Sequence, residues 1–283
     1  MIDVTAHSRP LRRFHLWRFP ATREIALAAL LFLYLPIVAL VILSFSAGDS
    51  SLARWSGFSL RWYADVLGND DMLRTIRNSL MVASVATVAG SIIATLAALA
   101  TSGPRFSGQT AVEALIGLPL IVPDVVAGIA ILLFFVMVGV PLGLVSIMLA
   151  HSVFAVPFAY LPIRARLTGL DPALVEAAAD LYATPWLSFR RIVLPLIWPG
   201  IAAGAMLAFI SSLGDVVVSY FVSGPGATTL PVYVFSMVRM GVTPSVNAVS
   251  TLLMLASIVL LTVSFLFGRR LQSRTGASGR SEP

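Results

Sequence analysis

Six stretches of the chain are predominantly apolar over twenty or more consecutive residues: Ile25–Phe45, Ser79–Ala100, Ala114–Val138, Gly143–Ile163, Ile201–Phe221 and Ala248–Phe267. A helix that crosses a hydrocarbon layer of about 30 Å needs roughly 20 such residues. The pattern therefore predicts an all-α, polytopic membrane protein with six transmembrane helices. A cytoplasmic amino-terminal arm (1–24), a membrane domain (25–268) and a cytoplasmic tail (269–283) account for the whole sequence. No soluble domain of useful size is left over, and no internal duplication is evident.

The apolar stretches differ in texture. The second is rich in small residues, with Ala83, Ser84, Ala86, Ala89, Gly90, Ala94, Ala97 and Ala98, which lets helix backbones approach closely and predicts a central position in the bundle. The third opens on Leu118-Pro119 and Val122-Pro123-Asp124. Two missing backbone donors predict a kinked or broken helix, and broken membrane helices line cavities or moving interfaces. Trp55, Trp62 and Tyr63, between the first two stretches, suit the headgroup region.

Composition sharpens this picture. Hydrophobic residues make up 58% of the chain and charged ones only 11%, a balance typical of a membrane protein. All 19 basic residues are Arg. Without a Lys there is no P-loop, so the chain is not expected to be a P-loop ATPase by itself, and no cofactor of its own is expected. Zero Cys removes thiol chemistry, and His7, His15 and His151 are too scattered for a metal motif. The net charge of +6 reflects topology rather than nucleic acid: fourteen Arg fall on the side of the two termini and five on the other. The positive-inside tendency then places both termini in the cytoplasm. Arg12-Arg13 before an apolar run resembles a twin-arginine signal, but five further spans and the lack of a small-residue cleavage site favour an orientation anchor facing lipid.

The loop between the fourth and fifth spans, Arg164–Trp198, has its own legible order. Asp171 is placed to cap a helix beginning at Pro172, and Thr184-Pro185 repeats the arrangement thirteen residues later. Leu174, Ala177, Ala178 and Leu181 share a face of the first short helix, with Glu176 and Asp180 on an adjacent acidic edge. Pro195 and Pro199 are expected to end the second helix before the fifth span. An amphipathic pair lying on the membrane surface is one outcome; a docking element for a partner is the other.

Glu176-Ala177-Ala178, followed by Phe189, Leu194-Pro195 and Pro199-Gly200, resembles the EAA loop of ABC importer permeases. The resemblance extends from Asn78 to Arg270. Leu213-Gly214-Asp215-Val216-Val217-Val218-Ser219, Phe221-Val222-Ser223-Gly224-Pro225, Leu230-Pro231, Ser236-Met237-Val238 and Pro244-Ser245-Val246-Asn247-Ala248 are similar to the PotC-type spermidine/putrescine permeases. The resemblance implies a type I importer fold in the bacterial inner membrane, with a cytoplasmic coupling loop (164–198) formed by Glu176, Ala177, Ala178, Leu181 and Tyr182. It also implies a second permease subunit, an ATPase dimer that binds the ATP, a periplasmic solute-binding protein, and polyamine uptake by alternating access. The family pattern has Gly where this chain has Tyr182. A left-handed Tyr costs roughly 1 kcal/mol, so the turn is expected to be built differently here.

Two carboxylates fall inside spans, Asp124 and Asp215. Ionised groups at membrane depth are costly and normally face a cavity or a partner. Both are candidate contacts for the ammonium groups of a polyamine, with Asp215 the stronger. Asp124 has an alternative role as a helix cap after Pro123. Asp215 has an alternative in pairing with an interhelical donor or the second permease, and His151 reads as a hydrogen-bonded structural residue. Other functions for the same residues include import of another small solute, proton-coupled secondary transport and intramembrane aspartyl proteolysis. The last is disfavoured because Ser212-Leu213-Gly214-Asp215 lacks the first Gly of Gly-x-Gly-Asp.

Overall fold

The computed structural model describes residues 22–48, 55–240 and 244–276, and within them the chain is helical apart from short connections and one isolated bridge between Ser46 and Phe58. In order, the helices are α1 (Thr22–Leu43), α2 (Arg61–Leu67), α3 (Asp70–Ser102), α4 (Gln109–Gly117), α5 (Asp124–Val138), α6 (Leu144–Thr168), α7 (Ala173–Asp180), α8 (Pro185–Ser188), α9 (Leu194–Gly214), α10 (Val217–Val222), α11 (Leu230–Met240) and α12 (Pro244–Gly276). The predicted arm, apart from its last residues, and the end of the predicted tail lie outside the described residues.

Four helical segments among the described residues are long and apolar enough to cross a membrane, and a bent pair supplies a fifth. The sixth predicted span, Ala248–Phe267, falls on α12, and much of it past Val259 lies outside the residues whose side chains are described. The predicted break in the third span is present. A single 3-10 turn, Leu118–Leu120, ends α4, and the chain resumes as α5 at 108° to it. Pro119 and Pro123 donate no backbone hydrogen bond, and each disfavours helical backbone in the residue before it.

The fifth span differs from its predicted limits, Ile201–Phe221. Pro195 and Pro199 do not stop the preceding helix: Pro185–Gly214 runs as one 30-residue helix. A π-turn at Phe189–Val193 precedes the prolines. Its wider backbone ring is the kind of local adjustment that lets a helix pass a residue with no N–H to donate. The break comes later, where Asp215 adopts extended backbone (φ −72°, ψ 128°) and the chain restarts as α10.

Packing centres on α3, α6 and α9. Each carries a buried stripe at four-residue steps: Val82, Ala86, Gly90, Ala94 and Ala98; Ile147, His151, Ala155, Ala159 and Ile163; Gly200, Gly204 and Ala208. Residues four apart share a helix face, and small ones at such an interface replace side-chain bulk with backbone contact. A methyl added at Gly90 would lie 2.5 Å from the Ala155 Cβ, and one at Gly204 2.7 Å from the Ala159 carbonyl oxygen. The small-residue texture of the second predicted span thus marks the centre of the bundle.

At one end of α3 the connection before α11 is pinned to this core. The Asn78 amide donates to the carbonyls of Gly226 and Thr228 at 3.1 and 3.0 Å, and Ser79 Oγ accepts from the Leu230 N–H at 2.7 Å. The helix that follows, α11, begins at this anchored Leu230.

The close contact at Gly204 makes a direct prediction. Gly204→Ala should lower the stability of the purified protein by about 1–3 kcal/mol through overpacking. Gly117→Ala, where an added methyl meets nothing within 4 Å, should be neutral. Thermal unfolding in one detergent checks the contrast, and equal midpoints would refute the packing argument.

Candidate functional site

The two helix breaks open onto one cavity of about 440 Å³. Its wall is built from Pro119, Leu120 and Asp124 at the first break, His151, Phe154 and Phe158 on α6, and Ser211, Ser212 and Asp215 at the second. The two carboxylates singled out in the sequence, 91 residues apart, therefore face the same space.

Their surroundings are unlike. Asp215 is held in place: its Oδ2 accepts from the Ser219 N–H at 2.8 Å and its Oδ1 from Val218 N–H at 3.4 Å, capping the first turn of α10. Its Oδ2 also lies 3.2 Å from His151 Nε2, with the Asp215 side chain 21% exposed and that of His151 3%. His151 is fixed by two hydroxyls, Ser212 Oγ at 2.7 Å from Nδ1 and Ser219 Oγ at 3.0 Å from Nε2. A carboxylate only accepts, so the Nε2 facing it carries a proton, and the Ser212 hydroxyl donates to Nδ1 whenever the ring is neutral. This is the interhelical pairing weighed above for Asp215, and the hydrogen-bonded structural role weighed for His151. Asp124, by contrast, is exposed at the start of α5, and its carboxylate has no partner among the described residues and makes no capping hydrogen bond.

Phe154 and Phe158 were not singled out in the sequence, although the signal was there: with His151 they recur at three- and four-residue steps on one face of α6. A second group also went unnoticed. Arg164, at the end of α6, donates to Glu113 Oε1 at 2.8 Å and to the Tyr160 hydroxyl at 2.9 Å. Gln109 donates to the same Glu113 oxygen at 2.9 Å and to the Thr101 carbonyl at 2.8 Å. The start of the long loop is thereby tied to α3 and to α4, the helix that carries the first break.

In the loop itself, Asp171 Oδ1 accepts from Ala173 N–H at 3.0 Å, so α7 begins one residue later than expected, and Thr184 caps α8 by accepting from Leu187 N–H at 3.3 Å. The predicted shared face is divided. Ala178 is only 6% exposed and packs within the chain, while Glu176, Ala177 and Leu181 stand in the open. At Tyr182 the expectation of a differently built turn is overturned. Tyr182 takes the left-handed conformation itself, with φ at 58°. The Tyr182 N–H bonds to the Ala179 carbonyl at 2.9 Å and the Ala183 N–H to that of Ala178 at 3.0 Å, the paired bonds of a Schellman motif with Tyr where Gly is usual. Completing both bonds offsets the roughly 1 kcal/mol the conformation costs a side-chain-bearing residue.

These features are those of a known class of membrane protein. Residues 86–276 match the family of binding-protein-dependent transport system inner membrane components, and the chain belongs to that family. It is a multi-pass inner-membrane transport component. The putrescine transport system permease protein PotI of Escherichia coli K12 is 43% identical, over 84% of this chain and 86% of its own length. The spermidine/putrescine transport system permease protein PotC of the same organism is 37% identical, over 84% of this chain and 90% of its own. A bacterial ABC transporter involved in the import of the acidic polysaccharide alginate has a chain that superposes with a TM-score of 0.64 at 18% identity, covering 90% of this chain and 97% of that one. At that identity the likeness establishes the fold.

The His151–Asp215 pair predicts a coupled loss of stability. His151→Leu should destabilise the purified protein by about 2 kcal/mol, since it strips a partner from a largely buried carboxylate and two hydroxyls. Combining it with Asp215→Asn should cost less than the two single changes together, by at least about 1 kcal/mol. Thermal unfolding of the unaltered protein and the three variants measures this; strictly additive losses would mean the two groups do not interact.

Proposed function

We propose that this chain is one of two permease subunits of an ATP-driven importer that carries polyamines inward by alternating access. The observation that carries the proposal is the convergence of Asp124 and Asp215 on one cavity at two helix breaks, in a chain similar to permeases named for spermidine and putrescine. A polyamine brings several ammonium groups into a medium that solvates them poorly. A free carboxylate lowers their energy there, and the faces of Phe154 and Phe158 add attraction for cations.

The two aspartates divide the work. Asp124, whose carboxylate has no partner among the described residues, contacts the solute directly. Asp215, already bonded to His151 and to α10, contributes negative field and fixes the geometry of the second break. A periplasmic binding protein delivers the solute, the second permease completes the pathway, and an ATPase dimer supplies the energy. Both termini and the loop 164–198 are cytoplasmic, so the ATPase meets α7 directly. Arg164 passes movement of the loop to α4, and the continuous helix Pro185–Gly214 passes it to Asp215.

Uptake of labelled putrescine and spermidine into vesicles containing the whole transporter, with saturating binding protein, tests the assignment. Asp124→Asn should lower uptake at least about tenfold, which needs only roughly 1.4 kcal/mol of lost stabilisation at the limiting barrier. Asp215→Asn, which preserves shape, should lower uptake less steeply and also reduce stability. Full uptake by the Asp124→Asn variant would remove that residue from the pathway. Failure of the unaltered protein to move any polyamine would retire the substrate class. For topology, a reporter fused after Arg270 should be active only in the cytoplasm.

A further inference from the structure

At the tip of the long loop a side chain stands where Gly would complete the same two hydrogen bonds without strain. Tyr182 occupies a left-handed backbone position that Gly fills without strain, yet its side chain is 95% exposed. Nothing within the described chain benefits from the ring. Beside it, Leu181 is 83% exposed, and Trp186, whose ring lies 5.6 Å from that of Phe189, is 68% exposed. Large apolar side chains exposed this close together in the sequence mark an interaction surface. Tyrosine is suited to anchoring one, since it offers a large rigid ring and a polar tip for little conformational entropy.

Two candidates for covering this patch are the membrane surface and a protein, and charge separates them. Glu176 and Asp180 on α7 are both exposed, and carboxylates are repelled by anionic headgroups. Arg190 and Arg191 lie further along the chain, nearer the spanning part of the helix, where positive charge suits headgroups. The acidic tip is thereby suited to face away from the bilayer.

We propose that Tyr182 is a specificity-determining anchor for the ATPase subunit, its ring entering an apolar pocket rimmed by basic residues that face Glu176 and Asp180. The inference rests on the loop being the ATPase-docking element. It adds that this permease selects its own ATPase through a side chain that a Gly-bearing loop lacks.

The chain contains no Cys, so Tyr182→Cys gives a single-thiol reporter in an otherwise thiol-free subunit. The complete permease pair, with the second subunit also freed of Cys, is placed in nanodiscs and treated with a membrane-impermeant maleimide. Labelling at residue 182 should be fast in nanodiscs alone and at least about tenfold slower with saturating ATPase subunit. In parallel, Tyr182→Gly should weaken ATPase binding at least about tenfold while leaving the permease's thermal midpoint unchanged or raised. Tyr182→Phe should bind nearly as well as the unaltered chain. Slow labelling without ATPase would assign the ring to lipid and overturn the proposal, as would undiminished binding by Tyr182→Gly. Ala177→Trp separates the two layers of the argument. If it abolishes ATPase binding while Tyr182→Gly does not, the loop docks without this anchor; if neither variant affects binding, the docking role itself falls.

Discussion

Inside a bilayer no water is available to satisfy a free backbone N–H or C=O, so a helix can be interrupted only where protein or a wet cavity supplies partners. This constraint organises the molecule. Two interruptions within apolar segments among the described residues, at Leu118–Pro123 and at Asp215–Val216, are brought together at a single cavity. At the first, proline removes the donors that would otherwise be orphaned. At the second, the Asp215 carboxylate takes up two of the N–H groups that the restart of α10 exposes. The features that make the chain locally irregular are thus the same ones that give it a polar interior.

Holding that interior open requires a rigid frame, and burial of apolar surface does not provide one among lipid tails. The frame is the three-helix contact of α3, α6 and α9, where Gly90 and Gly204 bring backbones together at van der Waals distance. On α6, the same four-residue stripe that supplies Ala155 and Ala159 to this contact also supplies His151 to the Asp215 pair. Packing and polar chemistry are therefore not separable along that helix.

What could be read from the sequence and what could not divide along physical lines. Hydropathy located the apolar segments, because the bilayer demands length and composition and little else. The small-residue stripe, the kinking prolines and the thirteen-residue spacing of the two loop caps were legible for the same reason, since each acts locally. The end of the fifth span was not. Pro195 and Pro199 read as stops, but a π-turn, whose hydrogen bonds leave no mark in the residue pattern, carries the helix past them. The neighbours of Asp124 and Asp215 were equally hidden. Whether a carboxylate is free or already bonded depends on helices distant in sequence, here α6 for Asp215 and, among the described residues, none for Asp124. At Tyr182 the expectation failed because propensity was weighed alone, whereas the two hydrogen bonds of the turn fix the backbone whatever residue stands there.

The unbroken helix from Pro185 to Gly214 has a mechanical meaning. Thirty residues at about 1.5 Å each make a rod roughly 45 Å long, with the exposed loop at one end and the hinge before α10 at the other. A rod pivoting near its middle, where Gly200 and Gly204 rest against α6, works as a lever. Small rotations at the loop would then reappear, reversed in direction, at the cavity end. Besides Pro199, which leaves one backbone hydrogen bond of the rod unmade, a softer point is the π-turn at Phe189–Val193, close to the loop end. There it can absorb misalignment with whatever drives the loop while leaving the stroke at the cavity unchanged.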